Sequence, residues 1–325
     1  MNAHIASTAL DPVISRYLAH RRALGRQYGN QERTLHSLTD FLVRVGESDL
    51  SSRSFESWCK TFHSLTSNVR RARQVAVRNF CLYRQRTEPR CFVPDINRFA
   101  RPRPHAAPII LTPAQVGQLL ELAGTREATA RSPLRPYVLR LALVLLYTAG
   151  LRRRELLRLT LADADAQAGV LRVRESKFHK SRWVPLSRGA RRELRRYLVR
   201  RLATPLDTSS SSPLLCNLSH GLRGYTGGGL REGIMGLLLG AGIRDVDGRV
   251  PRIQDFRHSF AIEALMRWYR QGADVQSNLP KLALYMGHVS IVSTAYYLRW
   301  IPELQELASD RFAKRFGYLV HGEQR

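Results

Sequence analysis

The chain has 325 residues and a formal net charge of +26, with 52 lysines and arginines against 26 aspartates and glutamates. This length predicts two domains, and a positive charge carried mainly by arginine predicts nucleic acid as the partner, with an anionic membrane surface as the alternative. Four cysteines without a C-x-x-C pair argue against a zinc site or a disulfide framework, and the apolar run from Leu141 to Tyr147 is too short to span a bilayer. Because the N-terminal stretch also lacks the apolar segment of a signal peptide, we expect a soluble, cytoplasmic protein.

Residues 1–100 are predicted to form a helical domain. Asp11 followed by Pro12 is typical of a helix N-cap with proline at the first helical position. Val13 and Tyr17 then recur at helical spacing, as does Leu18. The first helix is therefore expected to begin at Pro12.

A second helix with one strongly basic side is predicted over residues 68–86. Its apolar residues are Val69, Ala72, Val75, Ala76 and Phe80, and its basic residues are Arg70, Arg71, Arg73, Arg78 and Arg84. Such a side usually indicates a solvated face. The charge of the whole chain favours contact with a DNA backbone instead, which makes Arg70, Arg71, Arg73 and Arg78 candidate DNA-binding residues.

A linker is predicted between the two domains. The stretch from Asn97 to Ile110 contains three prolines and three arginines with little periodicity, which is typical of a semi-rigid connection. We assign 101–111 to the linker and 112–325 to the second domain. Thr112 and Gln115 have the spacing of a capping box, with Pro113 at the first helical position, so the second domain should begin with a helix.

The second domain mixes helices with a small sheet. The apolar segment Tyr137–Tyr147 predicts a buried central helix that stops before Gly150, where glycine can take the left-handed conformation. Residues 170–174 and 181–186 both alternate apolar with polar positions on either side of a polar turn, which predicts a β-hairpin.

A further helix with a basic outer face is predicted over 188–201, which contains seven arginines. Its apolar residues Ala190, Leu194 and Leu198 are spaced at i, i+4 and i+8. Arg192 and Arg195 on this helix are two more candidate DNA-binding residues.

Four segments of the second domain carry residue types suited to phosphate chemistry. TAGLRRRELLRL places Arg152 one helical turn before Glu155, which can hold the orientation of the arginine. ESKFHKSRWVPL sets Lys177 at the hairpin turn, RIQDFRHSFA contains Arg257, and MGHVSIVSTAYYLRW contains His288. Each residue by itself indicates an ordinary surface or structural role, so only the set favours a function.

The order of these residues resembles the tyrosine recombinase (phage integrase) family. The family pattern is T-G-L-R-x-x-E, a hairpin lysine, H-x-L-R-H, L-G-H, and a tyrosine nine residues after that last histidine. In this chain the ninth residue after His288 is Tyr297. The ending L-P-K-L-A-L-Y-M-G-H, T-A-Y-Y-L and I-P-E-L is also similar to recombinases carried by certain bacterial transposable elements.

The resemblance implies a mechanism that needs neither a metal nor a nucleotide cofactor. Tyr297 would attack a phosphodiester and store the bond energy as a phosphotyrosine. Arg152, Arg257 and His288 would stabilise the charge that develops on the nonbridging oxygens. Lys177 would protonate the leaving 5′ oxygen.

The chain departs from the family pattern at one position and leaves two assignments open. The first histidine of H-x-L-R-H is Gln254 here, and glutamine can bind a phosphate but cannot take a proton from tyrosine. Lys180 competes with Lys177 because both belong to the same turn. Tyr296 would lie about 100° around a helix from Tyr297 and would pack elsewhere.

The segment after Tyr297 is predicted to form an amphipathic helix from Pro302 to Phe316. Its apolar positions recur at i+4 steps at Leu304, Ala308, Phe312 and Phe316. This stripe either packs on its own domain or, as the resemblance implies, docks on a neighbouring protomer of a homo- or hetero-tetramer on DNA.

The expected fold is mainly α, with a helical N-terminal DNA-binding (core-binding) domain and an α+β catalytic domain that has a small antiparallel sheet. The expected function is site-specific recombination of double-stranded DNA through a 3′-phosphotyrosine, with or without partner recombinases. A type IB topoisomerase would use the same chemistry. Because of Gln254, a catalytically impaired DNA-binding accessory or regulatory protein of the same fold is a further alternative.

Overall fold

The computed structural model describes residues 9–104, 106–174, 181–218, 221–288, 290, 292–295 and 297. The chain divides into two compact units, residues 1–106 and 107–325, and the division falls inside the segment predicted as a linker. Among the described residues, no helix combines the length and the apolar character needed to cross a membrane.

The N-terminal unit is helical and packs around its own apolar core. It contains α1 (Asp11–Ala23), α2 (Gly29–Val45), α3 (Ser52–Lys60) and α4 (Ser67–Arg84). Val13, Tyr17 and Leu18 are buried, as predicted. The predicted cap was wrong by one residue, because Leu10 is the N-cap of α1 without a side-chain hydrogen bond and Asp11 is already helical.

Helix α4 buries a different set of residues from the predicted one. Its fully buried positions begin at Gln74, and both Val69, at 45% exposure, and Ala72 are exposed. Arg84 is buried rather than on the basic side. It donates to Asp49 at 2.8 Å and to Glu88 at 2.7 Å, and these carboxylates make its burial possible.

The C-terminal unit is built on α5 (Pro113–Gly124) and α6 (Arg135–Thr148). The capping box at Thr112 is present, and α6 is the buried central helix, as predicted. Gly150 follows α6 in the left-handed conformation with a φ of +58°. A Cβ at this position would lie 2.5 Å from Cδ1 of Phe260, so this turn requires glycine.

Within the described residues, two small antiparallel sheets complete the predicted fold class. Strands β1 (Ala164–Asp165), β2 (Val170–Val173) and β3 (Arg182–Pro185) form one sheet in that order, and β4 (Cys216–Asn217) pairs with β5 (Arg223–Gly224) in the other. The predicted hairpin is confirmed by the antiparallel pairing of β2 with β3. The buried residues on the inward face of β2 and β3 are Leu171, Val173 and Val184.

The remaining helices are α7 (Arg153–Leu157), α8 (Arg188–Ala203), α9 (Gly227–Gly240), α10 (Ile253–Arg270), α11 (Val275–Met286) and the short α12 (Val292–Ala295). One arginine of α8 departs from the predicted outer face, because Arg201 is fully buried. It lies seven residues after Leu194 and eleven after Ala190, on the same buried stripe of the helix. Its Nη2 donates to Oγ of Ser212 at 2.8 Å.

Candidate active site

Glu155 orients Arg152 at the start of α7. Its carboxylate accepts from the backbone N–H of Arg152 at 2.9 Å and from Nη1 of the Arg152 side chain at 2.7 Å. Nη2 of Arg152 donates to the carbonyl oxygen of Gly287 at 2.9 Å. The contact expected between Arg152 and Glu155 is therefore present, and it aims a partly exposed guanidinium at the loop after α11.

Arg182 is a member of this cluster that the sequence reasoning missed. Its Nη1 and Nη2 donate to the two carboxylate oxygens of Glu155 at 3.0 and 2.9 Å, and its Nε donates to the carbonyl oxygen of Tyr285 at 2.8 Å. A signal for it existed in the strand alternation, because Arg182 shares the inward face of β3 with Val184. An arginine on an inward face requires an anionic or carbonyl partner.

The carboxylate of Glu155 is ionised at neutral pH. Burial alone would raise its pKa, but the hydrogen bonds and charge of Arg182, followed by those of Arg152, lower this pKa to about 2. One buried negative charge therefore lies between two guanidinium groups. This charge makes it possible to keep both arginines close together.

Arg257 adds a third cation from α10. Only 1% of its surface is exposed, and it donates to the carbonyl oxygens of Gly150 and, at 2.7 Å, of Met286. Its Nη1 lies 4.0 Å from Oε2 of Glu155. Burial and the charge of Arg152 lower its pKa to about 10, so it remains charged at neutral pH. Three arginines around one carboxylate leave a local charge of +2.

His288 and Tyr297 lie against one another next to these arginines. The two rings stack with centroids 6.1 Å apart, and Nδ1 of His288 shares a hydrogen bond with Oγ1 of Thr294 at 2.7 Å. Burial and then the charges of Arg257 and Arg152 lower the pKa of His288 to about 3, so its ring is neutral at neutral pH. The side chain of Tyr297 is nearly buried, with 3% exposure.

Gln254 lies on an open part of the same site. It is exposed in the first turn of α10 and lines a cleft of about 560 Å³ together with Arg152. The other arginines of this cleft are Arg153, Arg154, Arg231 and Arg252, and its apolar wall includes Ile234, Met235 and Leu238. A cleft with this lining suits a segment of polyanion that runs past Arg152.

The structure thus brings Arg152, Arg257, His288 and Tyr297 into one cluster, with Gln254 beside it. Lys177 lies outside the described residues. So do Lys180, Tyr296 and the predicted helix 302–316.

The candidate DNA-binding arginines of α4 are half-buried rather than freely presented. Arg71 donates to the carbonyl oxygen of Ala100 at 3.2 Å, and Arg78 donates to that of Pro94. The guanidinium of Arg73 lies 5.1 Å from the ring centroid of Phe62. Part of the predicted basic side of α4 is therefore used within the N-terminal unit. Arg70 is likewise only partly exposed.

The two candidates on α8 are more open than those on α4. Arg192 and Arg195 are both exposed. Nε of Arg195 donates to the carbonyl oxygen of Ala166 at 3.1 Å, which leaves its remaining donors on the surface. These two positions remain candidates for contact with a phosphate backbone.

Comparison with solved structures shows the same fold at low sequence identity. The chain superposes on the Tn1549 transposon integrase in complex with a circular intermediate DNA with a TM-score of 0.62 and 17% identity, covering 90% of this chain and 95% of that one. It superposes on the XerH site-specific recombinase bound to palindromic difH substrate with a TM-score of 0.61 and 16% identity, covering 86% and 78% of the two chains.

Curated sequences match over most of the chain. The chain is 31% identical over 305 residues to y4rB of Sinorhizobium fredii, an integrase/recombinase by name, which covers 93% of this chain and 96% of that protein. It is also 31% identical over 209 residues to the tyrosine recombinase XerD of Brucella abortus, covering 62% of each. The model of the phage integrase family matches residues 110–302. The chain therefore belongs to the phage integrase family, the tyrosine recombinases.

Proposed function

We propose that this protein is a site-specific DNA recombinase that cuts and rejoins strands through a covalent bond between Tyr297 and a 3′-phosphate. The observation that carries this proposal is the cluster itself. A tyrosine lies beside a cluster of three arginines, which keeps a local charge of +2 after the charge of Glu155 is subtracted. Such an array suits an anion that becomes more negative during the reaction.

The chemistry assigns a separate task to each group. A phosphodiester carries one negative charge, and attack by the Tyr297 oxygen adds a second in the pentacoordinate transition state. Arg152 and Arg257 supply fixed cations against that increase, and neutral His288 can donate one hydrogen bond without repelling them. The 5′ oxygen leaves with a proton, which the family assigns to the residue matched by Lys177.

The proton of the Tyr297 phenol must pass to solvent, since Gln254 cannot accept it. An amide has no basic lone pair at neutral pH, so the residue in the family's histidine position can bind the phosphate but cannot deprotonate the nucleophile. A recombinase with glutamine at this position would cleave DNA more slowly but would still be active. Rejoining is the reverse, in which a 5′-hydroxyl attacks the phosphotyrosine.

The rest of the chain is assigned to binding DNA and to assembly. The N-terminal unit would act as the core-binding domain and the cleft beside Gln254 would hold the backbone next to the reacting phosphate. Relatives support this assignment, since y4rB is named an integrase/recombinase and the Tn1549 integrase was solved with a circular intermediate DNA. Residues 302–316 would dock on a neighbouring protomer in a tetramer on DNA, and recombination would serve transposition of the element that encodes the protein.

The test uses nicked DNA duplexes from the two ends of the segment that encodes the protein. A nick beside the cut lets the short 5′-hydroxyl fragment diffuse away, so any covalent adduct is trapped and appears as a shifted band on a denaturing gel. Wild type and Tyr296→Phe should form the adduct, whereas Tyr297→Phe should bind the same DNA without forming it. An adduct that disappears with Tyr296→Phe instead would refute the assignment of Tyr297.

Assays with the same purified protein distinguish the proposed recombinase from two other functions. Binding without any adduct would support a DNA-binding accessory protein, which the glutamine at position 254 motivates. Relaxation of one supercoiled circle without strand exchange between two sites would indicate a type IB topoisomerase.

A further inference from the structure

Arg182 has its donors directed at protein acceptors. Its Nε donates to the carbonyl oxygen of Tyr285 at 2.8 Å, and Nη1 and Nη2 each donate to one oxygen of Glu155. Its side chain is 10% exposed, whereas that of Arg152 is 24% exposed. Arg152 is therefore the arginine that is open to a ligand, and Arg182 holds other groups in place.

The groups held by Arg182 are those that orient Arg152. Nη1 of Arg152 donates to Oε1 of Glu155, the same oxygen that accepts from Nη1 of Arg182. Nη2 of Arg152 donates to the carbonyl oxygen of Gly287, only two residues beyond the Tyr285 carbonyl that Arg182 holds. Both side-chain contacts of Arg152 thus depend on positions that Arg182 fixes.

Gly287 shows how closely Arg182 packs against this loop. Its backbone has a φ of +67°, and a Cβ at this position would lie 2.8 Å from Nη1 and 3.1 Å from Cζ of Arg182. The guanidinium therefore packs directly against the backbone that carries His288. A planar fork can make this contact and a bidentate one at the same time, which a lysine ammonium cannot do.

We infer that Arg182 is a positioning residue for the reaction: through Glu155 and the end of α11 it holds the guanidinium of Arg152 in the direction in which Arg152 meets the reacting phosphate. This inference rests on the proposed function. A small misplacement of a charge-stabilising group lowers a rate strongly, so loss of Arg182 should slow adduct formation by roughly tenfold to hundredfold.

The experiment compares adduct formation in a single turnover for wild type, Arg182→Gln, Arg182→Lys and Arg140→Gln. Arg140 is the matched control, since its Nε donates to Glu193 at 2.8 Å and its Nη1 to the carbonyl oxygen of Leu120 at 2.9 Å, away from the site. Each protein is assayed on a nicked phosphodiester duplex and on the same duplex with a methylphosphonate at the cut. The methylphosphonate is neutral before attack and carries one negative charge fewer than the phosphodiester in the transition state, so its reaction depends less on Arg152.

The expected result is specific to a positioning role. Arg182→Gln and Arg182→Lys should both lose much more rate on the phosphodiester than on the methylphosphonate, and Arg140→Gln should match wild type on both. The ratio of the two rates is taken within one protein preparation, so partial misfolding of a variant cancels. Arg152→Gln combined with Arg182→Gln should be no slower than Arg152→Gln alone.

Three outcomes would overturn the inference. Equal losses on the two substrates would show that Arg182 only supports the fold, and multiplied losses in the double variant would show that it acts independently of Arg152. Wild-type rates in both Arg182 variants would show that its contacts are dispensable. If wild type itself forms no adduct on either end of the encoding segment, the proposed function fails first, which distinguishes the two failures.

Discussion

Each of the two units of this protein contains a cluster of arginine and carboxylate side chains. Carboxylates outnumber arginines in the N-terminal cluster, and arginines outnumber carboxylates in the C-terminal one. In the N-terminal unit one arginine, Arg84, is shared by Asp49 and Glu88. In the C-terminal unit one carboxylate, Glu155, is shared by Arg152 and Arg182, with Arg257 at 4.0 Å. The first cluster neutralises its cation completely, whereas the second retains excess positive charge.

This difference separates an ion pair that supports a fold from one that prepares a site. Arg84 is 11% exposed while its two carboxylates are 46% and 41% exposed, so the surplus negative charge is hydrated. Glu155 is 5% exposed, and the surplus positive charge of the arginines around it stays in the protein. Buried uncompensated charge is costly unless a ligand uses it, which is why the second cluster indicates function and the first does not.

The largest contrast is expected in the rate of adduct formation. In the proposed mechanism Arg152 supplies a fixed cation to the reacting phosphate, so Arg152→Gln should slow adduct formation by about 10²- to 10³-fold. Arg84→Gln should leave the rate per folded molecule unchanged, because the cluster of Arg84 shares no residue with the candidate active site. Single-turnover assays on the nicked duplex measure both rates, and a comparable loss in Arg84→Gln would remove the distinction between the clusters.

A faster reaction is expected if a base is restored at position 254, where glutamine stands in the histidine position of the family pattern. Gln254→His should speed adduct formation by roughly 10²-fold at pH 7.5, the low end of what general acid-base catalysis contributes. Because the introduced imidazole acts as a base only when neutral, the gain should fall as the pH drops below about 6.5. Gln254→Met is the control without a base, and an equal gain in that variant would refute the explanation.

Stability should depend on Glu155 more than on Arg84. Glu155→Gln replaces a carboxylate oxygen with an amide N–H that faces arginine donors and should lower the free energy of unfolding by about 3–5 kcal/mol. Arg84→Gln should lower it by about 1–2 kcal/mol, because water can solvate the carboxylates left behind. Urea unfolding at pH 7 measures both, and the reverse order would contradict the comparison.

The pH dependence of the Glu155 contribution follows from the direction of its pKa shift. The folded-state pKa is lowered from 4.5 to about 2, so the stabilisation is fully present above pH 4.5 and is lost as the pH falls from 4.5 toward 2. The difference in unfolding free energy between wild type and Glu155→Gln should therefore be constant from pH 5 to 7 and should shrink at pH 3.5. A difference that grows on acidification would show that the carboxylate is not held by the arginines.

The smallest difference in stability and rate is expected between alanine substitutions at two glycines that cap helices in the same left-handed conformation. Gly46 ends α2 with a φ of +72°, and a Cβ there would meet no atom of the described residues within 4 Å. Gly287 ends α11 with a φ of +67°, and a Cβ there would lie 2.8 Å from the guanidinium of Arg182. Alanine at either position should cost about 1 kcal/mol for the left-handed backbone. Only Gly287→Ala should also slow adduct formation, and equal effects of the two substitutions on the rate would argue against the close contact with Arg182.

The elements that could be predicted were those set by local pattern. The capping box at Thr112, the central helix α6 and the β2–β3 hairpin each follow from residues that are neighbours in the chain. The errors have a common cause. Whether Val69, Arg84 or Arg201 is buried depends on what packs against its helix, and periodicity alone does not show where the core begins and ends.

The sequence by itself determined the family and the order of the residues that carry the site, because spacing along the chain records both. Only the tertiary structure decided the charge balance around Glu155. Arg182 lies 27 residues away from Glu155 and the Gly287 carbonyl lies 135 residues away from Arg152, so their contacts arise from packing β3 and α11 against α7. Electrostatic interaction depends on distance in space and on burial, and neither is a property of sequence separation.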